Sequence, residues 1–249
     1  MSNKKIGLQT IYTPVLVLLL IVAAFYVGRL SSQVEGLKNN VIGTDTTAPD
    51  PAGNQAVPVV GERKLDVASL KARAKNLGLN TGKFDQCLDS GTTAAKVSAE
   101  QKEGGALGVS GTPSFLINGI LLVGAQPQSS FESVIEAELK DGTGDKAAAA
   151  LGEDGKRLTL KLADSYVDGP ANAKIKMVEF IDFECPYCET AFPTVKAVMD
   201  KYKGKISLEY KSFPLSFHSS AQKAAEAALC AGEQGKFWEM HDDLFAAAK

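Results

Sequence analysis

Two cysteines three positions apart, in Cys185-Pro186-Tyr187-Cys188, constrain this chain more than any other feature. The apolar run of Ile175, Met177, Val178, Phe180, Ile181 and Phe183 before them reads as a buried strand, and Thr190 to Tyr202 after them as a helix. A strand that delivers two cysteines to the first turn of a helix is the arrangement of a dithiol redox site. Unpaired N–H groups and the positive dipole end at the helix start favour a thiolate at Cys185. Cys188, one turn on, is placed to resolve a mixed disulfide. The competing reading is half of a zinc site, which needs further ligands; Cys87 and Cys230 are single cysteines without a CxxC partner pair.

The 249 residues carry a formal charge of −2 and are 45% hydrophobic, enough for a good core and without the basic excess of a nucleic-acid binder. Four cysteines leave the fold free of any need for disulfides, yet an exported chain could form two bridges. Compartment therefore matters more than count. Lys4 and Lys5 precede an uncharged span from Ile6 to Gly28, and about eighteen residues at ~1.5 Å each nearly cross a bilayer core. Residues 11–28 are accordingly read as a retained signal-anchor, with Pro14 tolerated in its first turn. A cleaved signal peptide is the rival, although Tyr26-Val27-Gly28-Arg29 is a poor small-x-small exit. Basic residues before the span and only Arg29 just after it put the bulk of the chain outside a bacterial cell membrane in a single-pass arrangement. Residues 1–30 are thus tail and anchor, and 31–63, rich in Thr, Pro, Gly, Asn and Ala, a flexible linker.

Beyond the linker, Leu65 to Asn76, Thr81 to Leu88 and Thr92 to Gly104 read as three small helices that form a cap. Gly108 to Gly119 reads as a Gly-rich loop containing Thr112-Pro113, a strand from Ser114 to Ile117, and an Asn118-Gly119 turn into a strand from Ile120 to Val123. Proline needs no ladder bond just before a strand, and its isomer is not given by sequence. Ser129 to Leu139 follows as a helix. Residues 140–157 read as a joining linker, with four alanines able to form one or two helical turns.

In the second half, Leu158, Leu160 and Leu162 alternate as a half-buried strand, Ile175 to Phe183 is the central strand, and Ile206 to Tyr210 another. Ser219 to Cys230 and Lys236 to Ala248 read as helices. Glu179 lies between Val178 and Phe180, six residues before Cys185. A carboxylate there is costly to bury. Either it occupies the open side of an edge strand, or it accepts a proton near a buried Cys188 sulfur, the reading preferred here. His218 and His241 are assigned structural roles, because no metal-ligand pattern includes them.

The stretch from Val178 to Cys188 resembles the active-site strand and helix of thioredoxin-like, DsbA-like thiol-disulfide oxidoreductases. Phe213-Pro214-Leu215-Ser216-Phe217-His218 and Gly235-Lys236-Phe237-Trp238-Glu239-Met240-His241 resemble the same family, and Gly108 to Gly119 its cis-proline loop. The resemblance implies an α/β, thioredoxin-like fold with a helical insertion, over residues 64–249. It further implies that Cys185 attacks, Cys188 resolves and Glu179 assists proton transfer, while Thr112, Pro113, Pro186 and Tyr187 shape the substrate groove and the dithiol environment.

The order departs from the family: the proline half, 64–139, precedes the CxxC half, 158–249. A circular permutation accounts for this, with the usual termini joined through 140–157 and the chain opened within the helical insertion. A dimer that exchanges halves is an alternative assembly. In the closed fold the resemblance and an extracytoplasmic compartment imply a structural disulfide between Cys87 and Cys230; two inert buried thiols are the alternative. The expected function is disulfide formation or exchange in cysteine-containing exported polypeptides, with a membrane redox partner and no cofactor, metal or nucleic acid. An anchored thioredoxin-like metal-binding or metallochaperone module is the competing class.

Overall fold

The computed structural model describes residues 64–159 and 165–246. The expected membrane span at 11–28 and the linker at 31–63 lie outside these residues. Among the described residues no helix is long and apolar enough to cross a membrane.

The described residues open with α1 (Val67–Asn76), α2 (Thr81–Ser90) and α3 (Ala94–Ala106). Asp66 caps α1 by accepting from the Ser69 N–H at 3.0 Å, and Asn80 caps α2 through the Lys83 N–H at 2.9 Å. The hairpin β1 (Ser114–Ile117) and β2 (Ile120–Val123) follows, then α4 (Gln128–Asp141) and α5 (Gly144–Ala150). The second half contains β3 (Val167–Asp168), β4 (Ile175–Ile181), α6 (Pro186–Lys201), β5 (Ile206–Ser212), α7 (Ala221–Gly232) and α8 (Phe237–Phe245).

These strands form one mixed sheet in the order β2-β1-β4-β5-β3. β4 and β5 run parallel, joined by the α6 crossover, whereas β1 is antiparallel to both β2 and β4. The β1–β4 register sets Ser114 opposite Phe180 and Ile117 opposite Met177. Alternation along the strands divides the core. Phe115, Ile117, Ile175 and Met177 pack with Phe131 and Ile135 of α4 and Val195 and Val198 of α6. Leu116, Val178 and Phe180 pack with Val109 and Phe213 on the other face. At the end of β4, Ile181, Phe183, Cys185 and Cys188 join a third cluster with Leu70, Phe84, Leu88, Leu229, Met240 and Leu244. The cap helices thus complete the core at the dithiol end of the sheet.

The joining segment forms the short helix that its alanines allow. Residues Gly144–Ala150 form α5, and Ala148 is buried against the hairpin and α4. Arg157 secures the return, its Nη1 lying 3.2 Å from Glu138 Oε2, and Glu138 also accepts from the Gly144 N–H at 2.9 Å. The strand expected around Leu158 does not form in its described part: Arg157 makes an isolated bridge with Ile120, and Leu160 and Leu162 lie outside the described residues. Cys87 of α2 and Cys230 of α7 are joined in a disulfide that spans 143 positions and links the two halves.

Asn118 (φ 48°) and Gly119 (φ 86°) both take left-handed backbone angles, as a two-residue hairpin turn requires. A Cβ on Gly119 would stand 2.3 Å from the Leu158 carbonyl oxygen, whereas one on Gly142 (φ 72°) would meet nothing within 4 Å. Gly119→Ala is therefore expected to lose about 2–4 kcal/mol in urea unfolding, against about 1 kcal/mol for Gly142→Ala. Replacing Cys87 and Cys230 together by Ala should cost about 3–5 kcal/mol in the same measurement, because the cross-link restricts a long loop in the unfolded chain.

Candidate functional site

Asp182 to Glu184 turn the chain from the end of β4 into α6. Cys185 is the N-cap of α6 (φ −70°, ψ 124°) and Pro186 its first residue, where the missing N–H costs no helix bond. The helix starts earlier than the Thr190 expected from periodicity, so Cys185 caps its N-terminus and Cys188 lies in its first turn. Both cysteines are free thiols and buried, while Tyr187 between them is 58% exposed.

The opposing wall comes from the other half of the chain. The Thr112–Pro113 peptide bond is cis, and the β1–β4 register carries that loop to the end of β4. Cys185 Sγ donates to the Thr112 carbonyl oxygen at 3.4 Å. The Thr112 hydroxyl is buried and has no hydrogen-bond partner of good geometry among the described residues, but its proximity favours ionisation of both thiols.

The two thiols are driven in opposite directions. A hydrogen bond from the Cys188 side chain is the largest influence pulling Cys185 down, to about 6; burial opposes it, and Thr112 with the Cys188 and Tyr187 amides adds to the fall. Those amides are the open end of the helix, so the electrostatic role expected of the N-terminus rests on identified donors. Burial, reinforced by Cys185, pushes the Cys188 thiol well up. The helix end thus favours the thiolate at Cys185, while Cys188 keeps its proton.

Glu179 is buried in the central strand β4, which removes the edge-strand alternative. Its Oε1 lies 3.2 Å from His241 Nε2, and no hydrogen bond joins it to Cys188. His241 is enclosed by Phe183, Phe192, Tyr210, Trp238 and Phe245. Burial disfavours its charge, but Asp242 and Glu179 outweigh this and raise its pKa. The buried carboxylate expected near the resolving sulfur is thus paired with His241 in the core.

Asp182 reaches the sulfur, and His218 is paired with Asp182. The Asp182 N–H donates to Cys188 Sγ at 3.5 Å. The Asp182 carboxylate accepts from the Glu184 and Leu215 N–H groups, each at 2.8 Å, and its Oδ2 lies 2.7 Å from His218 Nδ1. Glu184 in turn accepts from the Ser220 N–H at 2.6 Å. These bonds tie the turn before the dithiol to the loop from Leu215 to Ser220, where Phe217 is 76% exposed. The sequence signal was Asp182 within the active-site stretch and His218 within the Phe213-Pro214 motif, but no periodicity relates residues 36 positions apart. Among the described residues no group of three or more His, Cys, Asp and Glu side chains could hold a metal ion.

A dithiol at a helix start, opposed by a cis-proline loop across a mixed sheet, defines a thioredoxin-type site. Residues 161–249 match the thioredoxin family model, and residues 59–136 match that of the DSBA-like thioredoxin domain. The chain therefore carries a DSBA-like thioredoxin-fold domain, with the DSBA-like match preceding the CxxC.

Among curated proteins, it is 48% identical over 82 residues to Na(+)/H(+) antiporter NhaA 3 of Salinispora tropica, covering 32% of this chain and 12% of the antiporter. It is 38% identical over 81 residues to Na(+)/H(+) antiporter NhaA 1 of Mycolicibacterium vanbaalenii, covering 32% and 13%. A third relative, the probable disulfide bond formation protein D of Bacillus anthracis, is 35% identical over 85 residues, covering 32% of this chain and 39% of that protein. The chain spans about an eighth of the length of the antiporter relatives.

With its pKa pulled to about 6, Cys185 is about 90% thiolate at pH 7, and reactivity falls as pH drops through that value. Iodoacetamide should label Cys185 with a midpoint near 6 and leave Cys188 unlabelled, as read by peptide mass spectrometry. Cys188→Ala should raise the midpoint more than Thr112→Val, because the Cys188 hydrogen bond is the larger influence.

Proposed function

We propose that this chain is a protein thiol-disulfide oxidoreductase working through Cys185 and Cys188. The observation that carries the reading is the opposed state of the two thiols at one helix start: an ionised, helix-capping Cys185 beside a protonated, buried Cys188. In disulfide formation, a substrate thiolate attacks Cys185 of the oxidised pair and Cys188 leaves; a second substrate thiolate then attacks the substrate sulfur of the mixed disulfide and releases Cys185. Stabilising the Cys185 thiolate favours the reduced form, which makes the disulfide the better oxidant. The relation to a probable disulfide bond formation protein supports the same direction. Thr112, Pro113, Pro186 and exposed Tyr187 form the wall against which an extended polypeptide would lie. Glu179 acts on proton transfer at one remove, through the core it shares with His241.

The substrates we assign are cysteine-containing exported polypeptides, with a membrane redox partner restoring the disulfide. Residues 11–28 would anchor the chain in a bacterial cell membrane with the dithiol outside. The basic tail and apolar span support this topology. We also infer a circular permutation, supported by the order of the two family matches and by the return of the chain through α5 and Arg157.

In a peptide-dithiol oxidation assay, the oxidised full chain should form the peptide disulfide stoichiometrically, and Cys185→Ala should lower the rate at least 100-fold. Exchange at equal rates by Cys185→Ala would overturn the proposal.

A further inference from the structure

We infer that Asp182 and His218 form a brace that holds the Asp182 amide on Cys188 Sγ and thereby promotes the half of the exchange in which Cys188 carries negative charge. This rests on the dithiol function proposed above and assigns two residues within it. The amide touches a reacting sulfur, whereas His218 is a positioning residue.

The step has a defined demand. From the mixed disulfide, Cys188 loses its proton and its thiolate attacks Cys185 Sγ. The Cys185–Cys188 bond forms, the bond from Cys185 to the substrate sulfur breaks, and that sulfur leaves with the electron pair and takes up a proton. Two electrons have then passed from the enzyme dithiol to the substrate disulfide. In the reverse direction a substrate thiolate attacks Cys185 and expels Cys188 as the thiolate. Both directions place charge on a sulfur that is 2% exposed, where burial opposes it. The Asp182 N–H, 3.5 Å away, and the Thr112 side chain favour that charge.

A hydrogen bond of this length depends on the orientation of the Ile181–Asp182 peptide plane, and Asp182 is the first residue past the strand. Its side chain is completely buried and makes three contacts: the Glu184 amide, the Leu215 amide and His218 Nδ1. His218 is the only side chain among the described residues that bonds to this carboxylate. The two amides belong to the segments being joined, so His218 is the contact that a side-chain change can remove without altering the backbone. The brace runs from the solvent-facing loop that carries Phe217 to the sulfur that must ionise.

The test measures both chemical steps on the full chain, reduced and mixed with an excess of a short peptide disulfide. Acid quenching and mass spectrometry give the rate at which the mixed disulfide forms and the rate at which Cys188 resolves it. His218→Leu should lower the ratio of resolution to formation about tenfold. His218→Asn, whose side-chain N–H can replace that of Nδ1, should restore it to within threefold. His218→Gln, with its donor one methylene further out, should remain slow. If His218→Leu does not fold, the comparison of Asn with Gln carries the test.

An unchanged ratio in His218→Leu, even with a lowered melting temperature, would show a merely structural contact and overturn the inference. Equal ratios for the Asn and Gln variants would do the same. If the wild-type chain forms no mixed disulfide, the dithiol function itself fails, and the brace with it.

Discussion

Antiparallel pairing of β1 with β4 is the contact on which the site depends. β4 carries the chain into the CxxC, and β1 begins directly after Thr112-Pro113, so their register decides whether the proline loop reaches the dithiol. Ser114 opposite Phe180 sets the loop at the level of the turn that follows Ile181. A shift by one residue would exchange the faces of Phe115 and Leu116, burying each in the wrong core layer. The hydrophobic alternation that builds the core is thus also what aligns Thr112 with Cys185. Function here follows from packing before any catalytic group is considered.

Given that alignment, one helix start divides the labour between two identical side chains. Cys185 occupies the cap, where the amides of Tyr187 and Cys188 are unclaimed by the helix; Cys188 lies one turn inward, where burial dominates. The hydrogen bond between them strengthens the difference, because Cys188 can donate only while it keeps its proton. Asp182 and Thr112 approach from two separate segments and moderate the cost of charge at the inner sulfur. A dithiol without this asymmetry would offer no preferred nucleophile.

Much of this was legible in the sequence because it is local. The CxxC at a strand–helix boundary, the Asn118-Gly119 turn and the helices around Phe131 and Trp238 all follow from short-range spacing or turn chemistry. Glu179 was legible as an anomaly, a carboxylate in an apolar strand, but its partner was not: His241 lies 62 residues away and meets it only through the packing of α8. His218 reads as structural because no metal-ligand pattern includes it, and nothing local links it to Asp182. The segment 140–157 showed its helical turns in its alanines but not the packing they make. Its glycines and alanines resemble a tether, yet small side chains are what let α5 lie close to α4 and the hairpin, with Ala148 fully buried.

The remaining cysteines show how far position decides the chemistry of one side chain. Cys87 lies in the last turn of α2 and Cys230 in the last turn of α7, where the dipole ends are negative. Both are buried and bonded to each other. Neither of these helix ends offers the free amides that favour a thiolate. Neither sulfur is therefore a good attacking or leaving group. Cys185 and Cys188 occupy the opposite kind of helix end, with amides facing the sulfur. One protein can then carry a disulfide that fastens its halves and a free dithiol at a helix start between them, because the direction of a helix separates the two environments.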